Sequence, residues 1–239
     1  MNVVLNRIDD VAANELLTFY QSLIAKGVSG SGKYEAHFSV ALLLWRNHGE
    51  DKMEEIIGHF RLAAEEAVKI FEARPVRHDR TSEDIFSFMF PMFVTYTYGT
   101  TPIRERLSLI VRNQWAPVKD DEYESLIKLF ELLCTGAVTR KFHPGELRQI
   151  LAINENYITH PFYQPWIEAM CLGLLAIHDG NLGTLEENID KLVELHADEA
   201  YDGSYSHLVE GLIAFWPLAV KTTAQYQGIK LETVSEYIP

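Results

Sequence analysis

Residues 161–228 read PFYQPWIEAMCLGLLAIHDGNLGTLEENIDKLVELHADEAYDGSYSHLVEGLIAFWPLAVKTTAQYQG, and the periodicity of this stretch decides the fold class. The run Trp166 to Ile177 is apolar nearly all round, the mark of a helix buried on most of its faces. Asp179-Gly180 stops it. From Leu182 to Leu195, the residues Leu182, Leu185, Ile189, Leu192 and Val193 recur on one side at steps of three and four. Glu186, Glu187, Asp190 and Glu194 fall largely opposite, so the spacing predicts an amphipathic surface helix with an acidic outer face. An acidic turn is expected over Asp198, Glu199, Ala200, Tyr201, Asp202 and Gly203. A third helix is expected from Leu208 to Gln227, with Gly228 as its stop.

The same pattern extends towards the N-terminus. Asp9 or Asp10 can cap a helix over Val11 to Lys26, whose buried stripe is Leu16, Phe19, Tyr20, Leu23 and Ile24. A glycine-serine turn, Gly27 to Gly32, precedes an apolar helix over Tyr34 to Asn47 and a long helix over Asp51 to Ala73. Pro75 to Arg80 reads as a basic linker, after which Thr81 or Ser82 with Glu83 and Asp84 opens a fourth helix that Pro91 should interrupt. Ile103 to Asn113, Asp120 to Val138 and Pro144 to Glu155 supply three more. No sustained period-two pattern appears, although the tail Ile229 to Ile238 alternates loosely and reads as extended. The fold class is therefore all-α. We expect about ten mostly antiparallel helices in a layered helical bundle or a degenerate tetratricopeptide-like array. The chain is read as a single domain over 1–239 with a soft boundary near 74–81. A true repeat is disfavoured, because Trp166 to Leu195 lacks the aligned small-large-small signature and does not superpose on Tyr34 to Phe71 at a fixed offset.

Composition bounds the function. With 239 residues the chain can bury a self-sufficient core, and its 47% hydrophobic content with 11% aromatics is that of a globular protein. No secretory signal is visible in Met1 to Asp10. No segment reaches the roughly 18 to 20 apolar residues that cross a bilayer; Ile85 to Tyr98 is the nearest and carries Ser87, Thr95 and Thr97. A cytoplasmic location is expected. Net charge is −13 and unevenly spread. Residues 1–80 hold 10 Lys+Arg against 12 Asp+Glu, residues 81–150 hold 8 against 9, and residues 151–239 hold 3 against 13. An acidic last third repels nucleic-acid phosphates and anionic lipid, and it attracts a basic partner.

Motifs for chemistry are weak. Gly27-Val-Ser-Gly-Ser-Gly-Lys33 fits GxxxxGK, but Tyr34 stands where a phosphate-binding loop needs a small hydroxyl, and a helix rather than a strand precedes it. It reads as an inter-helix loop. His59 lies four residues after Glu55, as one edge of a metal site or an exposed ion pair, with no third ligand in the pattern. His143, His160 and His178 sit beside helix ends. Cys134 and Cys171 fall in apolar runs and read as buried thiols. Arg74, Arg77, His78 and Arg80 form a short basic cluster. We expect no catalytic residues, no cofactor and no metal.

The pattern Trp166-Ile-Glu-Ala-Met-Cys-Leu-Gly-Leu-Leu-Ala-Ile-His-Asp-Gly-Asn-Leu-Gly-Thr-Leu185 and the ending Gln227-Gly-Ile-Lys-Leu-Glu-Thr-Val-Ser-Glu-Tyr-Ile-Pro239 resemble the all-helical immunity protein 49 family of bacterial polymorphic toxin systems. The resemblance covers about Phe162 to Pro239. It implies a cytosolic antidote that binds and blocks a cognate protein toxin without catalysis of its own. The residues then expected to bind the partner are Glu186, Glu187, Asp190, Glu194, Asp198, Glu199, Tyr201, Asp202 and Tyr205. The acids would dock on a basic rim, with the two tyrosines as anchors. The alternative reading is a tetratricopeptide-like scaffold or regulator that binds a peptide.

Overall fold

The computed structural model describes residues 8–73, 82–114, 122–155, 159–231 and 237–238. Every regular element among them is helical. In chain order they are α1 (Asp10–Ala25), α2 (Ser31–His48), a 3-10 turn (Gly49–Lys52), α3 (Met53–Ala73), α4 (Ser82–Tyr98), α5 (Thr101–Gln114) and α6 (Glu124–Thr135). Then follow α7 (Pro144–Asn154), α8 (Gln164–Asp179), α9 (Leu182–Tyr201), a second 3-10 turn (Val209–Leu212) and α10 (Phe215–Tyr226). The expected all-α architecture is what the chain adopts. The basic cluster of Arg74 to Arg80, the caps proposed at Thr81 or Ser82, and Asp120 and Asp121 lie outside the residues or side chains described.

Local chemistry explains the boundaries. Asp9 caps α1 by accepting the Ala12 N–H at 2.8 Å, and Pro144 sits in the first turn of α7, where its missing N–H costs nothing. Gly180 ends α8 in the left-handed conformation at φ 69, as the Asp-Gly signal requires. Pro91 does not end α4, which runs through it; the buried Thr95 hydroxyl donates to the Pro91 carbonyl at 2.7 Å.

Two expectations are corrected. The acidic segment after Leu195 is not a loop: α9 continues to Tyr201, because nothing between His196 and Tyr201 breaks a helix and the first glycine is Gly203. The run from Leu208 is not one helix either. After the second 3-10 turn the chain is extended at Ile213 (φ −135, ψ 129), and α10 begins at Phe215. Pro217 supplies the reason. It is tolerated in a first turn but would remove a hydrogen bond from a helix that had already begun.

Neighbouring helices pack in sequence, α1 on α2, α2 on α3 and α3 on α4, then α6 on α7, α7 on α8 and α8 on α9. α10 touches α4, α8 and α9 and so joins the two runs. Two adjacent residues carry out that joining. The Phe215 ring lies 5.7, 6.0 and 5.9 Å from Phe38 of α2, Phe60 of α3 and Phe90 of α4. The Trp216 ring lies 5.2, 5.9 and 5.5 Å from Phe93 of α4, Phe130 of α6 and Trp166 of α8. Aromatic pairs at these separations add specific edge and tilted contacts to the area they bury. The buried hydroxyls of Tyr96 and Thr223 share a hydrogen bond of 2.6 Å, fixing α10 along α4. One apolar core runs from Ile8 to Ile238.

Candidate functional site

α9 lies on the rest of the fold through Leu185, Asn188, Ile189, Leu192, His196 and Ala200, all buried. This inner stripe turns Glu187, Asp190, Glu194 and Asp198 outward. All four are exposed, and at steps of three and four they form one row about 16 Å long. Glu186 is half-buried at its edge. Tyr201 is 58% exposed at the C-terminal end of the row, and Leu208, 48% exposed, follows in the next turn. Asp202 is exposed as the residue closing the helix, its N–H bonded to the Asp198 carbonyl.

Two of the sequence-selected residues belong to the fold rather than to this surface. The Glu199 carboxylate turns back and accepts the Ser204 N–H at 2.8 Å, closing the turn after α9. Tyr205 points inward. Its ring meets Phe90 at 5.7 Å and His196 at 6.0 Å, and burial raises its phenol pKa. Tyr205 therefore packs against the fold, whereas Tyr201 is exposed. Spacing hides this, because residues 202–208 follow no helical period.

Electrostatics set the row apart. Among the described residues, the ion pairs Arg46–Asp10, Lys33–Glu66, Lys69–Glu66, Lys52–Glu55, Arg106–Glu72 and Lys128–Glu124 all lie between α1 and α6. In α7 to α10 the corresponding pair is Lys191 with Glu168 at 3.2 Å, linking α9 to α8. Glu187, Asp190, Glu194 and Asp198 join no ion pair among the described residues. α9 also carries no basic residue in its last turn, so the row continues to the end of the helix dipole where acids are unfavourable. Like-charge neighbours at these spacings cost a few tenths of a kcal/mol per pair, roughly 1 kcal/mol along the row. The arrangement opposes helix stability, and a cationic surface laid on it would relieve the cost.

A second polar group was not legible in the sequence. A cavity of about 430 Å³ opens between the α1–α2 turn and α3, lined by Ile24, Val28, Ser29, Lys33, His37, Glu66 and Lys69 among others. Glu66, 7% exposed, accepts hydrogen bonds at one carboxylate oxygen from Lys33 (2.9 Å) and Lys69 (2.7 Å). Burial alone would raise the Glu66 pKa, but those two bonds take it below its ordinary value. Behind them His37 Nδ1 and His59 Nδ1 stand 2.9 Å apart, one ring donating to the other. Burial lowers both imidazole pKa values, and Lys33 and the His59 ring lower that of His37 further. The hydrogen-bond partner of His59 is thus His37, while Glu55, which its spacing suggests, acts on it through charge. The signal that would have found the group is the pairing of α2 with α3, which puts residues 33 and 37 beside 59 and 66.

No group of three or more His, Cys, Asp or Glu among the described residues could hold a metal ion. Cys134 and Cys171 are both buried thiols, and burial pushes the Cys171 thiol up to about 12. Among the described residues no helix is long and apolar enough to cross a membrane. No family model, curated protein or solved structure matches the chain.

Proposed function

We propose that this chain is a non-catalytic immunity protein that neutralises a cognate protein toxin by occlusion, docking the outer face of α9 on a basic surface of the toxin. The observation that carries the reading is the acidic row Glu187, Asp190, Glu194 and Asp198 on the exposed face of α9, which joins none of the ion pairs found among the described residues. Glu186 and Asp202 flank the row. Tyr201 offers exposed aromatic area at the C-terminal end of the row, the arrangement in which charge guides encounter and buried rings slow dissociation. The toxin-system assignment rests on the resemblance of residues 162–239 to the immunity protein 49 family, and the docking face rests on charge and exposure. Cytoplasmic action follows from the same resemblance.

The test is co-expression with toxins encoded beside this gene, scored by growth rescue and by co-purification. Reversing Asp190, Glu194 and Asp198 to Lys together should leave the melting temperature within a few degrees, because exposed substitutions change stability little. The same variant should slow association at least tenfold and flatten its salt dependence. Association and salt dependence that match the wild type would remove α9 as the docking face. Failure of every neighbouring toxin to bind would remove the immunity reading itself.

A further inference from the structure

We propose that the cleft between the α1–α2 turn and α3 is a binding site for a small phosphate monoester, its phosphate seated between Lys33 and Lys69 and its organic body against Ile24 and Val28. This site is independent of α9 and of the docking proposed there. The cavity, about 430 Å³, is in the range that takes small ligands. Among the described residues its charged lining is two lysines against one carboxylate, a local excess of one positive charge in a chain of net charge −13.

Both ammonium groups converge on the same oxygen of Glu66, at 2.9 and 2.7 Å, so they flank one point. Each of these hydrogen bonds uses one of an ammonium's three N–H donors. The lysine side chains are 38% and 53% exposed, within reach of a ligand in the cleft, whereas the Glu66 side chain is only 10% exposed beneath them. Ammonium groups act on phosphate as point charges, while a planar carboxylate is matched better by the fork of an arginine, and no arginine lines this cavity among the described residues. Ser29 adds a hydroxyl. The turn itself needs glycine: Gly27 and Gly30 stand at φ 73 and φ 60, which brings the backbone round the cleft at little steric cost. Gly30 caps α2 without a side-chain acceptor, so the positive end of that helix adds to the field. Buried His37 lines the cavity and is held by a hydrogen bond to half-buried His59 rather than to a carboxylate.

Glu66 makes the proposal sharp, because it competes with the ligand for both lysines. The experiment is an NMR titration of the full chain at low ionic strength with phenyl phosphate, inorganic phosphate and benzoate. Saturable shifts are expected at residues 24–37 and 66–69, with phenyl phosphate binding more tightly than inorganic phosphate. Lys33→Gln with Lys69→Gln should weaken binding at least tenfold. Glu66→Gln should tighten it severalfold, the opposite of what loss of a purely structural ion pair would do. Should the double variant fail to fold, Lys69→Gln alone carries the test, with at least a threefold loss expected. No saturation, affinity unchanged in the lysine variants, weaker binding by Glu66→Gln, or benzoate binding as tightly as phenyl phosphate would each overturn the site.

Discussion

Beneath the acidic row, His196 ties α9 to the rest of the fold, and lowering the pH should loosen that tie by a calculable amount. The imidazole is 2% exposed, its Nε2 lies 3.0 Å from the Gly211 carbonyl oxygen, and the Tyr205 and Tyr237 rings pack on it at 6.0 and 5.1 Å. Burial pushes its pKa down to about 4, only partly opposed by the Gly211 carbonyl. An unfolded chain would hold the same imidazole near its ordinary value of about 6.5. Between those values the unfolded state binds the extra proton and the folded state does not. The contribution is therefore complete above about pH 6.5 and is lost as the pH falls towards 4. At about 1.4 kcal/mol per pH unit, the loss approaches roughly 3 kcal/mol. Other groups titrate in the same range: His37 and His59, also lowered by burial, add to the trend, and Glu210, raised by burial, opposes it. The measurement is thus a difference. Urea unfolding of wild type and His196→Gln, which keeps a donor for Gly211 but does not titrate, is followed by circular dichroism at several pH values from 7.5 to 4. The gap in stability between the two proteins should shrink or reverse across the window by up to about 3 kcal/mol. Parallel curves would show that His196 is not buried and neutral, and the reasoning would fail.

Three further outcomes are expected. Arg140 holds the left-handed backbone at φ 50, is 3% exposed, donates to the Tyr96 carbonyl at 2.7 Å and lies over the Tyr96 and Tyr226 rings. Arg140→Ala should cost about 2–4 kcal/mol, and Arg140→Gly about 1 kcal/mol less, because only glycine takes that backbone without strain. Urea midpoints check both, and an alanine variant more stable than the glycine variant would contradict the account. Cys134 and Cys171 should react with an aromatic disulfide reagent at pH 8 only as fast as the protein unfolds, so reaction within the mixing time would place them at the surface. Removing a single acid of the row, by Asp198→Ala, should leave stability unchanged or raise it by a few tenths of a kcal/mol in a thermal melt, since that acid sits at the unfavourable end of the α9 dipole.

Much of the architecture was legible in the sequence, for reasons that are local. Helical periodicity, Asp9, Asp179-Gly180 and Pro144 act within a few residues, so they marked where α1, α7 and α8 begin or end. The acidic outer face of α9 was legible because Leu185, Ile189 and Leu192 define an inner stripe whose opposite side must face water. Local signals mislead at the two ends of the 196–217 segment. The charge of 198–201 suggests a turn, yet no residue there breaks a helix and α9 continues to Tyr201, while Pro217 in the first turn of α10 fits a start at Phe215.

What only the tertiary structure decided comes from residues far apart in the chain. That Phe215 faces the α2–α3–α4 cluster while its neighbour Trp216 faces α6 and α8 follows from α10 lying between two runs of helices. That Tyr205 packs on Phe90, and that Lys33 meets Glu66 and His37 meets His59, depends on which helices become neighbours. Sequence alone determined where each helix is apolar, because that needs only the angle between successive side chains. The pairing of helices determined which polar groups converge, because a contact across tens of residues is set by packing of the whole core and leaves no periodic trace in the chain.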